Sequence, residues 1–186
     1  MTTLVGGSPT PVVAIVGWKN SGKTTLVVRL VEELVSRGCN VATVKHAHHT
    51  FQIDQGESDS ARHRRAGARQ VAVISQERLA IIKEFAGAAE PGLHRILQML
   101  DPCDLVIAEG YKRSAIPKIE ARRHGSASRE PLARDDPHVI AIAADHATEG
   151  DGRPVYNLDD VAGLADLILR DVMGRRDLQR PPSGAG

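Results

Sequence analysis

The sequence predicts an α/β fold, a mainly parallel sheet flanked by helices, and three stretches carry that prediction. VVAIV, Val12 to Val16, is a short β-branched run ending in glycine, the pattern of a central strand buried on both faces. Thr24 to Arg37 then places Val27, Leu30, Val31 and Leu34 at helical spacing, with Gly38 positioned to end the helix. NVATVKH, Asn40 to His46, reads as the second strand. Strand, helix and strand in so few residues form a βαβ unit, whose right-handed crossover implies parallel strands.

The remaining elements follow in order. QVAVIS and LAIIKEF flank Gln76 to Arg78 and read as a tight antiparallel hairpin. Helix is expected from about Pro91 to Leu100, then strand DLVIAEG, a basic loop and strand VIAIAAD. A last helix is expected near Asp159 to Val172. The Pro, Gly and Ser content of GRRDLQRPPSGAG predicts a disordered tail over 174–186, and residues 1–11 are expected to be disordered as well. Residues 12–173 are then one domain, without internal repeats.

Composition narrows the classes of partner. The apolar fraction is 41% but aromatics are only 3%, so the core must be built from Val, Ile, Leu and Ala. Lys and Arg total 24 against 23 Asp and Glu, which favours neither a nucleic acid nor a membrane surface as partner. Cys39 and Cys103 lack CxxC spacing, which suits a reducing compartment and argues against a disulfide scaffold or thiolate zinc site. With no basic-then-apolar leader at the start and no apolar run of roughly 20 residues, a cytoplasmic protein is expected.

The chemistry is concentrated at GWKNSGKTT, residues 17–25. Gly17, Gly22, Lys23 and Thr24 fit GxxxxGK[ST] between a strand and a helix, which makes the fold P-loop NTPase-like. The glycines let backbone N–H groups turn inward around a phosphate, Lys23 reaches the terminal phosphates and the Thr24 hydroxyl can ligate Mg²⁺. Trp18, Asn20, Ser21 and Thr25 complete the expected nucleotide contacts. A second acid is needed for the metal, and DLVIAEG offers Asp104 and Glu109, roughly 16 Å apart on an extended strand. Ligands lie beyond the carboxyl ends of parallel strands, which selects Glu109 to hold Mg²⁺ through water or orient the attacking water; Asp104 is expected to be a cap or strand-edge residue at the far rim.

Other polar groups keep two readings each. In KHAHHTFQIDQGESDS, His46, His48 and His49 could cluster around a transition metal, although a hydrogen-bonded histidine loop is the commoner outcome. Asp54 either assists the Mg²⁺ shell or closes an Asx turn, and Asp59 is expected to cap the helix SARHRRAGA. Arg62, Arg64 and Arg65 either meet phosphates of a second ligand or form an exposed basic face. No NKxD motif signals the base; Asp145 could accept hydrogen bonds from a guanine edge or be a plain loop aspartate.

The phosphate loop, VKHAHH with Asp54 and the DS pair after it, AGA before QVAVIS, and DLVIAEGYK leading to IPKIE together resemble the MobB family, the adapter proteins of molybdopterin-guanine dinucleotide biosynthesis, over most of the chain. The resemblance implies a homodimeric GTP-binding protein with at most slow GTPase activity. It also implies a MobA-type molybdopterin guanylyltransferase as partner, with molybdopterin or the molybdenum cofactor nearby. Related metal-insertion and partitioning NTPases carry a lysine directly after the first loop glycine; here Trp18 stands there and the lysine is Lys19. The alternatives are a small-molecule P-loop kinase and a metallochaperone GTPase that delivers metal through HAHH.

Overall fold

The computed structural model describes residues 4–5, 8–47, 58–128 and 130–174. The chain divides into two compact units, one formed by Met1–His46 with Leu93–Gly186 and the other by Ala47–Gly92.

In the larger unit, β1 (Leu4–Val5) and β2 (Ser8–Pro9) make a minimal antiparallel pair. The main sheet comprises β3 (Val12–Val16), β4 (Val41–Lys45), β7 (Leu105–Glu109), β8 (Lys118–Arg122), β9 (Val139–Ala144) and β10 (Val155–Asn157). Its order is β10-β9-β8-β3-β7-β4, and every neighbouring pair is parallel. Two helices cover one face: α1 (Lys23–Ser36) and α4 (Val161–Leu167), the latter continuing into a π-helical turn over Ile168–Val172. A short α3 (Leu93–Leu97) precedes β7.

Strand alternation sends Val13 and Ile15 of β3, Leu105 and Ile107 of β7 and Ile119 of β8 toward one face, where Leu26, Leu30 and Leu34 of α1 and Leu164 and Ile168 beyond them complete the main core. Arg37 ties the two helices together, its guanidinium bonding Glu33 on α1 and Asp166 and the Ala162 carbonyl on α4. On the other face Ala14, Val16 and Ala108 pack against Tyr111, Ile116 and Leu132, which lie in loops. The link from β7 to β8 crosses β3 on that face in only eight residues, 110–117. A helix is the usual means of joining parallel strands. Here a loop does it.

The strand β8 lies where the sequence reading placed only a basic loop. All five of its residues, KIEAR, are buried, charges included. β10 is a second main-sheet strand that the reading did not anticipate, and the β1–β2 pair lies within residues 1–11, for which no strand was expected. Helix α1, strands β4, β7 and β9 and the last helix fall where the sequence put them, within a few residues.

The smaller unit holds α2 (Asp59–Arg65) and the hairpin of β5 (Gln70–Ile74) and β6 (Leu79–Lys83). The strands pair antiparallel from Gln70↔Lys83 to Ile74↔Leu79, and the Ser75 N–H donates to the Arg78 carbonyl across the turn. Val71 and Ile82, directly opposite each other, are buried with Ala61 of α2, and Arg64 bonds Glu84. The opposite hairpin face presents Ile74, Leu79 and Ile81 to solvent. Ser58, not Asp59, is the N-cap of α2: its Oγ accepts from the Ala61 N–H and Asp59 is the first helical residue.

Candidate nucleotide site

The carboxyl ends of β3, β7 and β4 meet at one rim, and the sheet register assembles the site there. Glu109 is the partner of Ile15 on one side and of Lys45 on the other. Beyond β3 the chain turns through residues 17–22 into α1. Asn20 and Gly22 adopt left-handed conformations, with φ of 65° and 84°. Gly17 has φ 149°, and a Cβ there would lie 2.4 Å from Ser21 Oγ and 2.5 Å from the Ala121 carbonyl, so no side chain can replace it. Ser21 is buried beneath the loop and its Oγ has no protein partner.

Helix α1 starts without a side-chain cap, its N-cap being Gly22. The N–H groups of its first turn therefore face the rim with the positive end of the helix dipole behind them, an arrangement that suits an anion. Lys23 Nζ donates to the Trp18 carbonyl at 2.6 Å, folding back over the loop. Thr24 Oγ1 donates to Glu109 Oε1 at 2.8 Å, which brings together the hydroxyl and carboxylate that the sequence assigned to Mg²⁺. Two adjoining oxygen donors, one of them anionic, form a hard set suited to that ion. Thr25, next along the first turn, is exposed. Trp18 Nε1 donates to the Glu130 carbonyl at 2.7 Å.

Two lysines join this set that the sequence reading did not name. Lys45 Nζ lies 3.3 Å from Thr24 Oγ1 and 3.1 Å from Glu109 Oε1. Lys112 Nζ sits 3.8 Å from the centroid of the Trp18 ring, a cation–π contact. Burial first, then repulsion from Lys112 and Lys45, pushes the Lys23 ammonium below its ordinary pKa, with Glu109 partly offsetting them; burial likewise lowers Lys112. Such shifts mark a cluster of cations that a polyphosphate would relieve. The signal was available: Lys45 ends β4 and Lys112 follows Glu109 by three residues, both at the ligand rim.

Beside Trp18 opens a cavity of about 550 Å³, lined among others by Lys112, Lys118, Leu132, Asp136 and His138. Lys118 brings the polar strand β8 to its wall. Lys118 Nζ donates to Asp136 Oδ2 at 2.7 Å, and Glu120 accepts from the Leu132 and Ala133 N–H groups and from Arg122. These bonds fasten residues 130–136 to the sheet.

Asp104 accepts from the Asn40 N–H at 2.8 Å at the opposite rim, a cap joining the starts of β4 and β7. Asp145 Oδ1 accepts from the His124 N–H at 2.8 Å and pairs with the His146 ring. It braces two loops, a role that does not call on a base edge. The Lys19 carbonyl accepts from the Ala127 N–H, and the Lys19 side chain is exposed. His46 stacks at a tilt on Tyr111 with centroids 5.3 Å apart. His48, His49 and Asp54 lie outside the described residues, as do 175–186; among the described residues no group of three His, Cys, Asp or Glu is placed to hold a metal ion. Arg62 pairs with Asp59 and Arg64 with Glu84, both within the smaller unit. No helix of the described residues is long and apolar enough to cross a membrane.

The parallel sheet, the glycine loop leading into α1 and the added antiparallel hairpin define a P-loop NTPase-like α/β protein. Residues 12–145 match the family model for MobB, molybdopterin guanine dinucleotide synthesis protein B. A molybdopterin-guanine dinucleotide biosynthesis adapter protein of Escherichia coli K12 is 35% identical over 168 residues, 89% of this chain and 95% of the relative. One from Haemophilus influenzae is 36% identical over 160 residues, 85% of this chain and 87% of its own length. The crystal structure of Bacillus subtilis MobB superposes with a TM-score of 0.68 at 29% identity, covering 89% of this chain and 99% of that one. The chain belongs to the MobB family.

Proposed function

We propose that this protein is a GTP-binding adapter in molybdopterin guanine dinucleotide biosynthesis, working beside a MobA-type guanylyltransferase that acts on molybdopterin or the molybdenum cofactor. The observation that carries the nucleotide part is the Thr24–Glu109 hydrogen bond of 2.8 Å at the uncapped start of α1, next to Lys23. The pathway is taken from the names of the relatives, and GTP is proposed because the dinucleotide made in that pathway contains guanine.

On this reading the N–H groups around Gly22 to Thr25 cradle the phosphates. Lys23 exchanges the Trp18 carbonyl for a terminal phosphate, and Thr24 and Glu109 hold Mg²⁺. The ion supplies neutralisation of phosphate charge. Glu109 is already committed to Thr24 and Lys45, which suits ordering a site better than taking a proton, so isolated turnover falls well below the roughly 1–100 s⁻¹ of kinases. The exposed apolar face of the hairpin, Ile74, Leu79 and Ile81, supports a homodimer, since a two-stranded sheet is marginal without a covering surface. A cytoplasmic location goes with this reading, as does the absence of nucleic acid and membrane from the partners.

Calorimetric titration with Mg·GTP tests the reading. Lys23→Ala is expected to abolish tight binding with an unchanged circular dichroism spectrum, and the wild-type protein is expected to co-purify with the guanylyltransferase. Unchanged affinity in the folded variant removes the phosphate site.

A further inference from the structure

The position of Lys45 goes beyond the phosphate-loop pattern. Its ammonium lies 3.3 Å from Thr24 Oγ1 and 3.1 Å from Glu109 Oε1, touching both oxygens that would ligate Mg²⁺. Thr24 Oγ1 donates to Glu109 and accepts from Lys45 with one of its two lone pairs, so the amine sits on the side where the hydroxyl and carboxylate oxygens meet. A cation cannot reach both oxygens on that side without displacing the amine. The register fixes the encounter, because Lys45 and Glu109 are directly paired on adjacent parallel strands. Glu109 is largely buried, whereas the Lys45 side chain is 59% exposed, so the lysine is the member free to swing away.

We infer that Lys45 is a resident cation of the metal position that, once displaced, becomes a ligand of the terminal phosphate. This rests on the Mg·nucleotide reading above. Without nucleotide, Lys45 neutralises Glu109 and excludes a lone divalent ion; two like charges cannot share one carboxylate at this distance without repulsion. When metal and nucleotide arrive together, the γ-phosphate offers the amine a new partner on the same rim, where Lys23 begins α1 beside Thr24. Metal entry is thereby tied to nucleotide entry, and a triphosphate is favoured over a diphosphate.

The two roles give opposite signs, which a structural defect does not. Mn²⁺ serves as the metal probe, its free concentration read by electron paramagnetic resonance on the nucleotide-free full chain. Lys45→Met is expected to tighten Mn²⁺ binding about tenfold at low salt, a modest figure because the lysine is exposed and screened. In calorimetry the same variant is expected to weaken Mg·GTP about tenfold and Mg·GDP by less than about twofold, since only the triphosphate supplies the displaced amine with a partner. Lys45→Arg, which keeps the charge, is expected to move both affinities back toward wild type. Unchanged Mn²⁺ affinity in Lys45→Met, loss of metal and nucleotide affinity together, or equal weakening of GTP and GDP overturns the inference while wild-type Mg·GTP binding leaves the functional reading standing. Failure of the wild-type protein to bind Mg·GTP overturns both.

Discussion

Asp136→Ala is expected to be among the most destabilising single changes near the site, although Asp136 lies on a loop. Its partner Lys118 is buried on β8, with a side chain only 2% exposed and Nζ 2.7 Å from Asp136 Oδ2. Removing the carboxylate leaves an ammonium in the sheet face with no anion. Breaking a buried pair from one side costs about 3–5 kcal/mol, and the partial exposure of Asp136 places this case near the lower end, about 3 kcal/mol. For a chain of this size, about 2–4 °C in Tm accompanies each kcal/mol, so Tm is expected to fall by about 6–12 °C. Lys118→Met gives the contrasting result. It removes the charge that needs a partner and fills similar space, while Asp136 keeps the His138 N–H and some solvent, so the cost stays under about 1 kcal/mol.

Thermal unfolding by circular dichroism with urea titration measures both variants. A Lys118→Met loss equal to or greater than that of Asp136→Ala refutes the reasoning, because the penalty is assigned to the orphaned ammonium and not to the lost contact. The pH dependence supplies a second check. Burial pushes the Asp136 carboxyl up, but the hydrogen bonds from Lys118 and the His138 N–H outweigh it and leave the pKa below its ordinary value. A carboxylate depressed in the folded state contributes stability above its unfolded pKa and loses it as pH falls through the folded one. The advantage of wild type over Asp136→Asn is therefore expected to be flat from pH 5 to 8 and to shrink below about pH 4.

Two further outcomes test the site itself. Trp18, the single tryptophan, bonds Glu130 and lies under Lys112, so Mg·GTP is expected to shift its fluorescence as the loop and Lys112 readjust, and Lys23→Ala to remove the response; a flat trace across a calorimetrically saturating titration rejects loop rearrangement. Glu109→Gln is expected to reduce Mg²⁺-dependent hydrolysis more than GTP affinity, whereas Asp104→Asn, which weakens the cap to Asn40, is expected to cost about 1 kcal/mol of stability and leave hydrolysis intact. Steady-state phosphate release and urea midpoints on the two variants decide between the acids.

The central architecture was legible because β3 and β7 are unbroken apolar runs and α1 keeps helical spacing. Glu109 and Asp104 were separable because strand direction alone sends one to each rim. β8 was not legible, for two physical reasons. Its KIEAR sequence carries three charges that, beyond the Arg122–Glu120 pair within the strand, become compatible with burial through partners distant along the chain: Asp136 for Lys118, the Leu132 and Ala133 N–H groups for Glu120, and Thr148 and the Glu149 carbonyl for Arg122. Its connection from β7 is also too short for the helix that normally announces a parallel crossover. The family-marking IPKIE thus records structural work, namely the fastening of the loop against which Trp18 rests.

A phosphate-loop motif specifies one lysine, here Lys23, yet the charge facing a polyphosphate is set by everything the fold delivers to the same rim. Lys45 arrives from β4 and Lys112 from the turn after β7, and with Lys23 they place three cations around Glu109. Each is held by a stand-in: the Trp18 carbonyl for Lys23, the Thr24 and Glu109 oxygens for Lys45, the indole face for Lys112. None of those stand-ins neutralises a charge except Glu109, and Glu109 is also the group a divalent ion would claim. Adding metal alone would raise the excess of positive charge, while adding nucleotide alone would leave Glu109 facing phosphate. Only the two together balance the rim, which is why coupled entry of metal and triphosphate follows from the arrangement of charges in the fold rather than from the motif.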